Sequence, residues 1–358
     1  MVVRALILGL LWPLAALAQG FAGLGTDAAG FAVPVRGTEI RFPRDHAAHP
    51  DFRIEWWYVT ANLRDDTGRD YGVQWTLFRS AMAPGSDTGS DPYAAPGADP
   101  GWATPHIWLG HAAVTTPDAF HHAERWGRGG IGTAGATADP VSAWIDDWHL
   151  DADPALSRLR LRARDSGFAF DLHGSTDRPI VLHGDRGYSV KSANGQASYY
   201  FSQPHFRLTG TLDLPEGPVA VTGTAWLDRE WSSQPLAASQ TGWDWFSLHL
   251  DNGDKVMGFR LRQDDGPDFT SGTWIGRDGT IAALPDGALR LIPEEEASVA
   301  GRRLPVTWRF ALPERGIDLV VRAVNRASFM DTTIPYWEGP VRISGSHTGR
   351  GFLEMTGY

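Results

Sequence analysis

One short stretch, residues 222–231 (TGTAWLDREW), holds the residues best suited to chemistry. Its pattern is typical of a β-strand, so Trp226, Asp228 and Glu230 are predicted to project from one face, with the acids about 7 Å apart. If that face points inward, the two carboxylates repel each other and lose hydration, so the pKa of at least one rises and it becomes a general acid. If the face points outward, both acids are simply solvated.

The opposite face of the same strand carries Arg229 and Trp231. Regular alternation keeps this guanidinium away from the two acids, whereas a β-bulge would place it beside them and hold both ionised. Arginine itself does not exchange a proton near neutral pH. The residues alone leave both geometries open.

Two further acids lie on apolar strand faces. Glu55 alternates with Trp57 and Val59, and Asp244 alternates with Phe246. An ionised carboxylate on a core-facing surface needs a partner. Because catalytic carboxylates are also made this way, both acids are candidates for a site, with capping of a loop at a strand end as the alternative.

Short segments of period two must position these residues, because no segment has a helical period longer than two turns. Residues 55–63 alternate, turn at residues 66–68 and alternate again over residues 71–77, which predicts a hairpin. A second hairpin is predicted from residues 158–164 to residues 168–172. The row of arginines in its first strand is interpreted as a solvated face, with binding of an acidic partner as the alternative.

A weak internal repeat suggests how these strands are organised. The segment WWYVTANL (56–63) can be laid over WDWFSLHL (243–250), and an Asp-bearing, Gly-closed turn follows each. The repeat predicts an all-β fold of two antiparallel β-barrels in tandem, with an N-terminal domain over residues 31–235 and a C-terminal domain over residues 236–358. Closed barrels would also remove the exposed edges that many short strands otherwise present.

Residues 1–18 are predicted to be a secretory signal peptide, because Arg4 precedes an apolar run that ends in a small-residue cleavage pattern. The mature protein is then expected in the periplasm or outside the cell, with no transmembrane anchor after cleavage.

The chain has no cysteine, which excludes a disulfide scaffold and a thiol enzyme. Its formal net charge of −10, with acids and bases interspersed, disfavours nucleic acid as a partner. The 16 tryptophans and 16 phenylalanines favour an apolar small molecule, although an aromatic core explains them as well.

Several familiar motifs are missing or misplaced. The sequence has no G-x-S-x-G elbow, no H-E-x-x-H pair and no phosphate-binding loop. Residues 127–132 (GRGGIG) match a dinucleotide-binding pattern but lead into no helical segment, so they are predicted to form a loop. His106 and His111 would face opposite sides of a regular strand, and no spacing matches a known ligand set. We therefore expect neither a cofactor nor a metal site.

Seven blocks, spread from residue 55 to the end of the chain, carry a resemblance to a known family. They are EWWY (55–58), GHAAVT (110–115), GYSVKS (187–192), YYFSQP (199–204), WLDREW (226–231), YWEGPVRISG (336–345) and GFLEMTGY (351–358). Together they resemble the carotenoid 1,2-hydratase (hydroxyneurosporene synthase) and AttH-like family over residues 42–358.

The resemblance implies that both predicted barrels are lipocalin-like. It also implies two possible activities: some members hydrate an isolated alkene without a cofactor, and others are exported and encoded beside transporter components, which suggests an ABC-type transporter as a partner. The hydratases have a histidine where this chain carries Arg229. The resemblance places the family's tryptophan at Trp231 and its downstream aspartate at Asp244.

Two functional hypotheses follow. The leading one is an exported lipocalin-like protein that binds or carries a lipid or polyene; the alternative is a cofactor-free hydro-lyase in which a neutral acid protonates an alkene and indole faces stabilise the carbocation. The candidate catalytic residues are Asp228, Glu230, Trp231 and Asp244. The candidate ligand-binding residues are Glu55, Trp56, Trp57, Tyr58, Trp75, Trp226, Trp243 and Trp245.

Overall fold

A computed structural model describes residue 24, residues 28–85 and residues 104–358 of the chain. The predicted signal peptide and its cleavage site lie outside the described residues. Over the described ranges the chain forms 23 strands and two single 3-10 turns, Arg44–His46 and Pro313–Arg315, but no α-helix. None of its described helical turns is long and apolar enough to cross a membrane. The predicted all-β class is confirmed.

The first sheet contains 13 antiparallel strands. They are β1 (Ile54–Arg64), β2 (Asp70–Ala81), β3 (His106–Thr115), β4 (Phe120–Arg128), β5 (Ala134–Ala138), β6 (Val141–Ile145), β7 (Trp148–Ala152), β8 (Arg158–Asp165), β9 (Phe168–Ser175), β10 (Val181–Leu182), β11 (Tyr188–Val190), β12 (Ala197–Leu214) and β13 (Gly217–Ser232). Their order is β4-β3-β2-β1-β13-β12-β9-β8-β7-β6-β5, and β10 and β11 pair with β12. The edge strands β4 and β5 approach each other, since a Cβ on Gly127 would lie 3.0 Å from the Cβ of Ala134. This sheet forms a nearly closed barrel.

The second sheet contains ten antiparallel strands and curls into a half-barrel. They are β14 (Gln240–Leu250), β15 (Lys255–Gln263), β16 (Phe269–Ile275), β17 (Ile281–Leu284), β18 (Arg290–Val299), β19 (Arg302–Leu312), β20 (Ile317–Ala323), β21 (Phe329–Met330), β22 (Tyr336–Gly345) and β23 (Gly349–Thr356). Their order is β17-β16-β15-β14-β23-β22-β20-β19-β18, and β21 pairs with β22. The prediction of two curled antiparallel sheets in tandem is therefore confirmed.

Both predicted hairpins are present. In the first, β1 pairs with β2 and places Glu55 opposite Arg79. In the second, β8 pairs with β9, and the alternation of buried Leu159 and Leu161 with exposed arginines follows the predicted pattern. The loop predicted at residues 127–132 is present in part. Residues 127 and 128 end β4, residues 129–132 lie in the connection to β5, and no helix follows.

Both faces of the central strands are buried, which explains why so many aromatic residues are needed. One face of β1 contributes Trp57 to the core inside the first sheet, and one face of β14 contributes Phe246 to the core inside the second. The other faces of β1, β13 and β14 meet between the two sheets, where Tyr58, Trp226 and Trp245 form a third cluster. Strand alternation thus divides the aromatic residues between two barrel interiors and the contact between the sheets.

Candidate active site

A cavity of about 100 Å³ lies between the two sheets. Its walls are mainly aromatic and aliphatic, and carboxyl groups of both sheets reach it. The lining residues are Leu24, Ile54, Trp56, Tyr58, Thr76, Phe78, Lys191, Tyr200, Asp228, Glu230, Pro235, Leu236, Trp243, Trp245, Phe259, Leu261, Tyr336 and Glu354. The predicted face of β13 therefore points inward, into the space between the sheets rather than into either barrel.

Asp228 is the most perturbed carboxyl of that face. It is 2 % exposed, and burial raises its pKa to about 7 against the lowering effect of its hydrogen bonds. The hydroxyl of Tyr200 donates to Oδ2 at 2.7 Å, and the indole of Trp226 and the hydroxyl of Ser202 both donate to Oδ1. Glu230 adds a like charge that raises the pKa further. The group is thus able to hold a proton near neutral pH.

Behind Asp228, the tautomer of a buried histidine sets the direction of the hydrogen bonds through Ser202. His183 Nε2 lies 2.6 Å from the hydroxyl of Ser202, and its Nδ1 lies 2.8 Å from the hydroxyl of Thr273. Burial lowers the pKa of His183 to about 3, so the ring is neutral and has one donor and one acceptor nitrogen. When Nε2 accepts the hydrogen of Ser202, the Ser202 oxygen is free to accept one from a protonated Asp228.

Glu230 has a different environment on the same face. Its Oε1 lies 2.8 Å from the ammonium of Lys191, and both side chains are less than a tenth exposed. The same ammonium lies over the rings of Tyr200 and Phe259, at 4.8 Å and 4.4 Å from their centres. The two acids predicted to share a face are therefore distinguished by their partners: Asp228 has neutral donors, and Glu230 has a cation.

A second pair of carboxyls reaches this region from the second sheet. Glu338 on β22 and Glu354 on β23 are direct cross-strand neighbours. Burial and the charge of Glu354 raise the pKa of Glu338 well above its usual range. Burial, with the charges of Asp228 and Glu230, raises the pKa of Glu354 to about 7. The hydroxyl of Tyr58 donates to Oε1 of Glu338, and the indole of Trp243 donates to Oε1 of Glu354 at 2.9 Å.

A row of polar groups continues from this pair toward the surface. The hydroxyl of Tyr336 lowers the pKa of Glu338 by hydrogen bonding and lies 3.0 Å from Nδ1 of His111. The Nε2 of His111 lies 3.0 Å from Oε2 of Glu124, which is partly exposed. His111 thus connects the two sheets. His106 lies elsewhere, in contact with the guanidinium of Arg79, so the two histidines do not converge, as predicted.

Four of the ligand-binding candidates do not line the cavity. One of them, Trp226, lies in the cluster between the sheets and donates its indole N–H to Asp228. The other three, Glu55, Trp57 and Trp75, point into the interior of the first sheet, where each is at most 3 % exposed. The prediction that they contact a ligand at the same site as Trp56 is corrected, because alternation along β1 and β2 turns them to the opposite face of the sheet.

Glu55 belongs to a buried ion-pair network instead. Its two carboxylate oxygens accept from the guanidinium groups of Arg79 and Arg229, and His49 Nδ1 lies 3.1 Å away. The two arginines hold the pKa of Glu55 well below its usual range despite complete burial. Arg229 also lies over the ring of Trp57, at 3.7 Å from its centre. The pairing of β13 with β1 is regular through Arg229, without a β-bulge. Its guanidinium therefore lies on the opposite face from Asp228 and Glu230.

Trp231 and Asp244, two of the catalytic candidates, also lie outside the cavity. Trp231 stacks on His49 with ring centres 4.0 Å apart inside the first sheet. Asp244 is completely buried in the second sheet, where Arg260 and Arg262 each approach one of its oxygens, at 2.8 Å and 2.7 Å. Both carboxylates predicted to lie on apolar strand faces, Glu55 and Asp244, therefore have arginine partners.

Sequence reasoning missed six polar residues of this site. Four line the cavity, namely Lys191, Tyr200, Tyr336 and Glu354. Ser202 and Glu338 lie behind the lining and hydrogen-bond to Asp228 and Tyr58. Each lies within one of the blocks quoted for the family resemblance. Glu338 and Glu354 could have been found as single acids in apolar strands, the same signal that singled out Glu55. Their convergence with Asp228 depends on pairing between distant strands, which the local pattern does not contain.

Two curled antiparallel sheets that enclose an acid-bearing aromatic cavity between them define a tandem lipocalin-like protein. The chain belongs to the AttH-like family, whose model matches residues 33–358. A crystal structure from Nitrosomonas europaea assigned as an AttH has a TM-score of 0.79 and 31% sequence identity, and the match covers 92% of this chain and 100% of that chain. The family resemblance of the seven sequence blocks is confirmed.

More distant structures share the fold alone. Kievitone hydratase from Nectria haematococca has a TM-score of 0.67 at 15% identity, with 91% of this chain and 95% of that chain covered. The structure of CghA with Sch210972 has a TM-score of 0.56 at 14% identity, with 92% and 97% covered. A search of curated protein sequences finds no match.

Proposed function

We propose that the protein is a cofactor-free enzyme of the hydro-lyase type, which adds water to an alkene of an apolar small molecule. The supporting observation is that Asp228, with its pKa raised to about 7, lines an aromatic cavity. A general acid is most effective when its pKa is near the working pH. The hydratase fold relative is consistent with this class of reaction, although its identity of 15% carries the fold alone.

In the proposed reaction, the proton of the Asp228 carboxyl moves to one alkene carbon and leaves a carbocation at its neighbour. The faces of Trp56, Trp243 and Trp245 line the cavity and stabilise that charge. A water oxygen then bonds to the cation, and the proton that the water loses is accepted by the carboxylate of Glu354. Transfer of that proton to Asp228 through solvent restores the enzyme, so the net change is the addition of one water.

The size of the cavity restricts the proposed substrate. A volume of about 100 Å³ holds roughly three water molecules at about 30 Å³ each, far less than a polyene or a long-chain lipid needs. The substrate therefore inserts a short alkenyl end between the sheets while the rest of the molecule remains outside. A terminal alkene of isoprenoid type fits this description.

The test is turnover of acyclic isoprenoid alkenes and prenylated phenols in isotope-labelled water, with the labelled alcohol detected by mass spectrometry. Asp228→Asn is expected to abolish product formation, because the amide keeps the shape and loses the proton. Asp265→Asn, at an exposed position of the loop after β15, is the matched control and is expected to retain full turnover. Equal product formation by both variants would refute the role of Asp228.

An exported carrier of an apolar ligand is the second proposal, because the same aromatic lining binds a ligand without proton transfer. Under this proposal the mature protein functions in the periplasm or outside the cell, with an ABC-type transporter as its partner. The two proposals differ in Asp228→Asn: a carrier retains its affinity and has no turnover to lose. Ligand binding by wild type without a labelled product, across the panel above, would favour the carrier.

A further inference from the structure

A second and larger depression lies between the same two sheets. It has a volume of about 850 Å³, within the usual range of small-molecule sites. Six cationic side chains line it, three from each sheet: Arg158, Arg178, Arg207, Lys255, Arg277 and Arg350. Only two carboxylates, Asp177 and Asp251, accompany them. We call this depression the basic groove.

Carboxylates reach the cations of the basic groove only at longer range. The charge of Asp254 has a raising effect on the pKa of Lys255, and those of Asp70 and Asp251 on the pKa of Arg350. Within the described part of the chain, none of the six cations forms an ion pair with a carboxylate, whereas most arginines elsewhere do. The contrast is clearest on β8, where Arg160 pairs with Asp171 at 2.6 Å and Arg162 with Asp151 at 3.0 Å. Arg158 begins the same row, turns toward the groove and has no such partner. Of the two groove carboxylates, Asp251 accepts from the hydroxyl of Thr348 at 2.6 Å.

The cations are also close enough to affect one another. The positive charges of Arg178 and Arg207 add to burial in lowering the pKa of Lys255. Burial and the charge of Lys255 lower the pKa of His205 to about 4 and that of His249 to about 3, so both rings of the groove are neutral. Like charges that line one depression repel each other, and in a chain of net charge −10 their clustering is not a consequence of composition.

We propose that the basic groove is a binding site for a small organic anion that carries two or more phosphate or carboxylate groups. Three cations on each wall fit a ligand that bridges the two sheets, since guanidinium groups bind both anion types through paired hydrogen bonds. A hydrogen bond already joins the wall from the first sheet to the wall from the second, because the guanidinium of Arg178 donates to the carbonyl of Arg277 at 3.3 Å. The ligand replaces the missing carboxylate partners and relieves the repulsion.

The basic groove is distinct from the aromatic cavity, but Trp226 contacts a lining residue of each. The ring of Trp226 lies 5.7 Å from that of His249, which lines the groove, while its indole N–H donates to Asp228, which lines the cavity. Anion binding in the basic groove is independent of the reaction at Asp228, because it follows from the charge and the volume of the groove alone.

The experiment is calorimetric titration of the full chain with tripolyphosphate, with citrate and with vesicles that contain phosphatidic acid. Arg178→Gln/Arg207→Gln is expected to weaken binding of the anion by at least about tenfold, or about 1.4 kcal/mol. Arg128→Gln/Arg290→Gln is the matched control, since it removes the same charge from exposed positions outside the groove and is expected to change the affinity less than about twofold. Arg277→Gln provides an independent variant if the first pair does not fold.

The arms of the titration identify the source of the anion. Binding of tripolyphosphate or citrate indicates a soluble ligand, and binding of vesicles alone indicates a lipid headgroup; both support an anion site when the groove variants abolish them. Absence of binding in every arm at low ionic strength, or equal loss of affinity in the groove and control variants, would overturn the proposal.

Discussion

Glu338 and Glu354 are directly opposed on β22 and β23, and burial raises the pKa of both carboxyls. The charge of Glu354 adds to this at Glu338, and the charges of Asp228 and Glu230 add to it at Glu354. The unfolded chain separates the two groups, so each returns to its ordinary pKa there. Between the ordinary value of 4.5 and the folded value of about 7 for Glu354, the folded state binds more protons than the unfolded state. Stability is therefore lost as pH rises through this window.

Replacing Glu354 by glutamine removes this dependence. At about pH 8 we expect Glu354→Gln to be more stable than wild type by on the order of 1 kcal/mol, because no charge then has to be buried near Asp228 and Glu230. At about pH 4, where Glu354 is protonated in both states, the difference is expected to disappear. Urea unfolding at both pH values measures it, with Glu314→Gln at an exposed turn as the control. A variant that is less stable at the higher pH would contradict the assignment.

The network around Glu55 predicts the opposite effect of removing a carboxylate. Glu55→Gln leaves the guanidinium groups of Arg79 and Arg229 buried without their counter-ion, and we expect a loss of about 3 to 5 kcal/mol in the free energy of unfolding. Asp318→Asn breaks the exposed pair with Arg309 and is expected to change the free energy of unfolding far less than Glu55→Gln does. Comparable effects in the two variants would show that Glu55 is not the centre of a buried network.

Tryptophan fluorescence distinguishes the cavity from the barrel interiors. Trp56 and Trp243 line the cavity, whereas Trp308 is buried inside the second sheet. An apolar alkene that enters the cavity is expected to quench emission saturably, and Trp56→Phe/Trp243→Phe is expected to remove most of that quenching. Trp308→Phe, the control, should reduce total emission but leave the quenched fraction unchanged. Loss of quenching in the control alone would place the ligand inside the second sheet.

The strand faces of the site residues could be predicted from the sequence, because the alternation of side chains along a strand is a local property. It correctly placed Trp226, Asp228 and Glu230 on one face and Arg229 and Trp231 on the other. It could not say which face meets a cavity, since that depends on how the two sheets pack. For the same reason it grouped Trp57 with Trp56, although the two neighbours point in opposite directions.

The partners of each charge were beyond local reasoning. Arg229 and Glu55 are 174 residues apart in sequence, and Tyr58 and Glu338 are 280 residues apart. Only strand pairing and sheet packing bring them together, so the sequence showed that Glu55 needed a partner without identifying it. The basic groove was hidden in the same way, because its six cations are spread over both sheets and the net charge of −10 pointed away from an anion.

The pH dependence of turnover tests the role of Asp228 most directly. The reaction needs the protonated carboxyl, so turnover is expected to decrease about tenfold per pH unit above the pKa of about 7. Tyr200→Phe removes one donor that favours the ionised form, so the decrease should begin at a higher pH in that variant. Carboxyl resonances followed by NMR give the same pKa without any substrate. A value of about 4 or below for Asp228 would leave this carboxyl ionised at neutral pH and exclude it as the general acid.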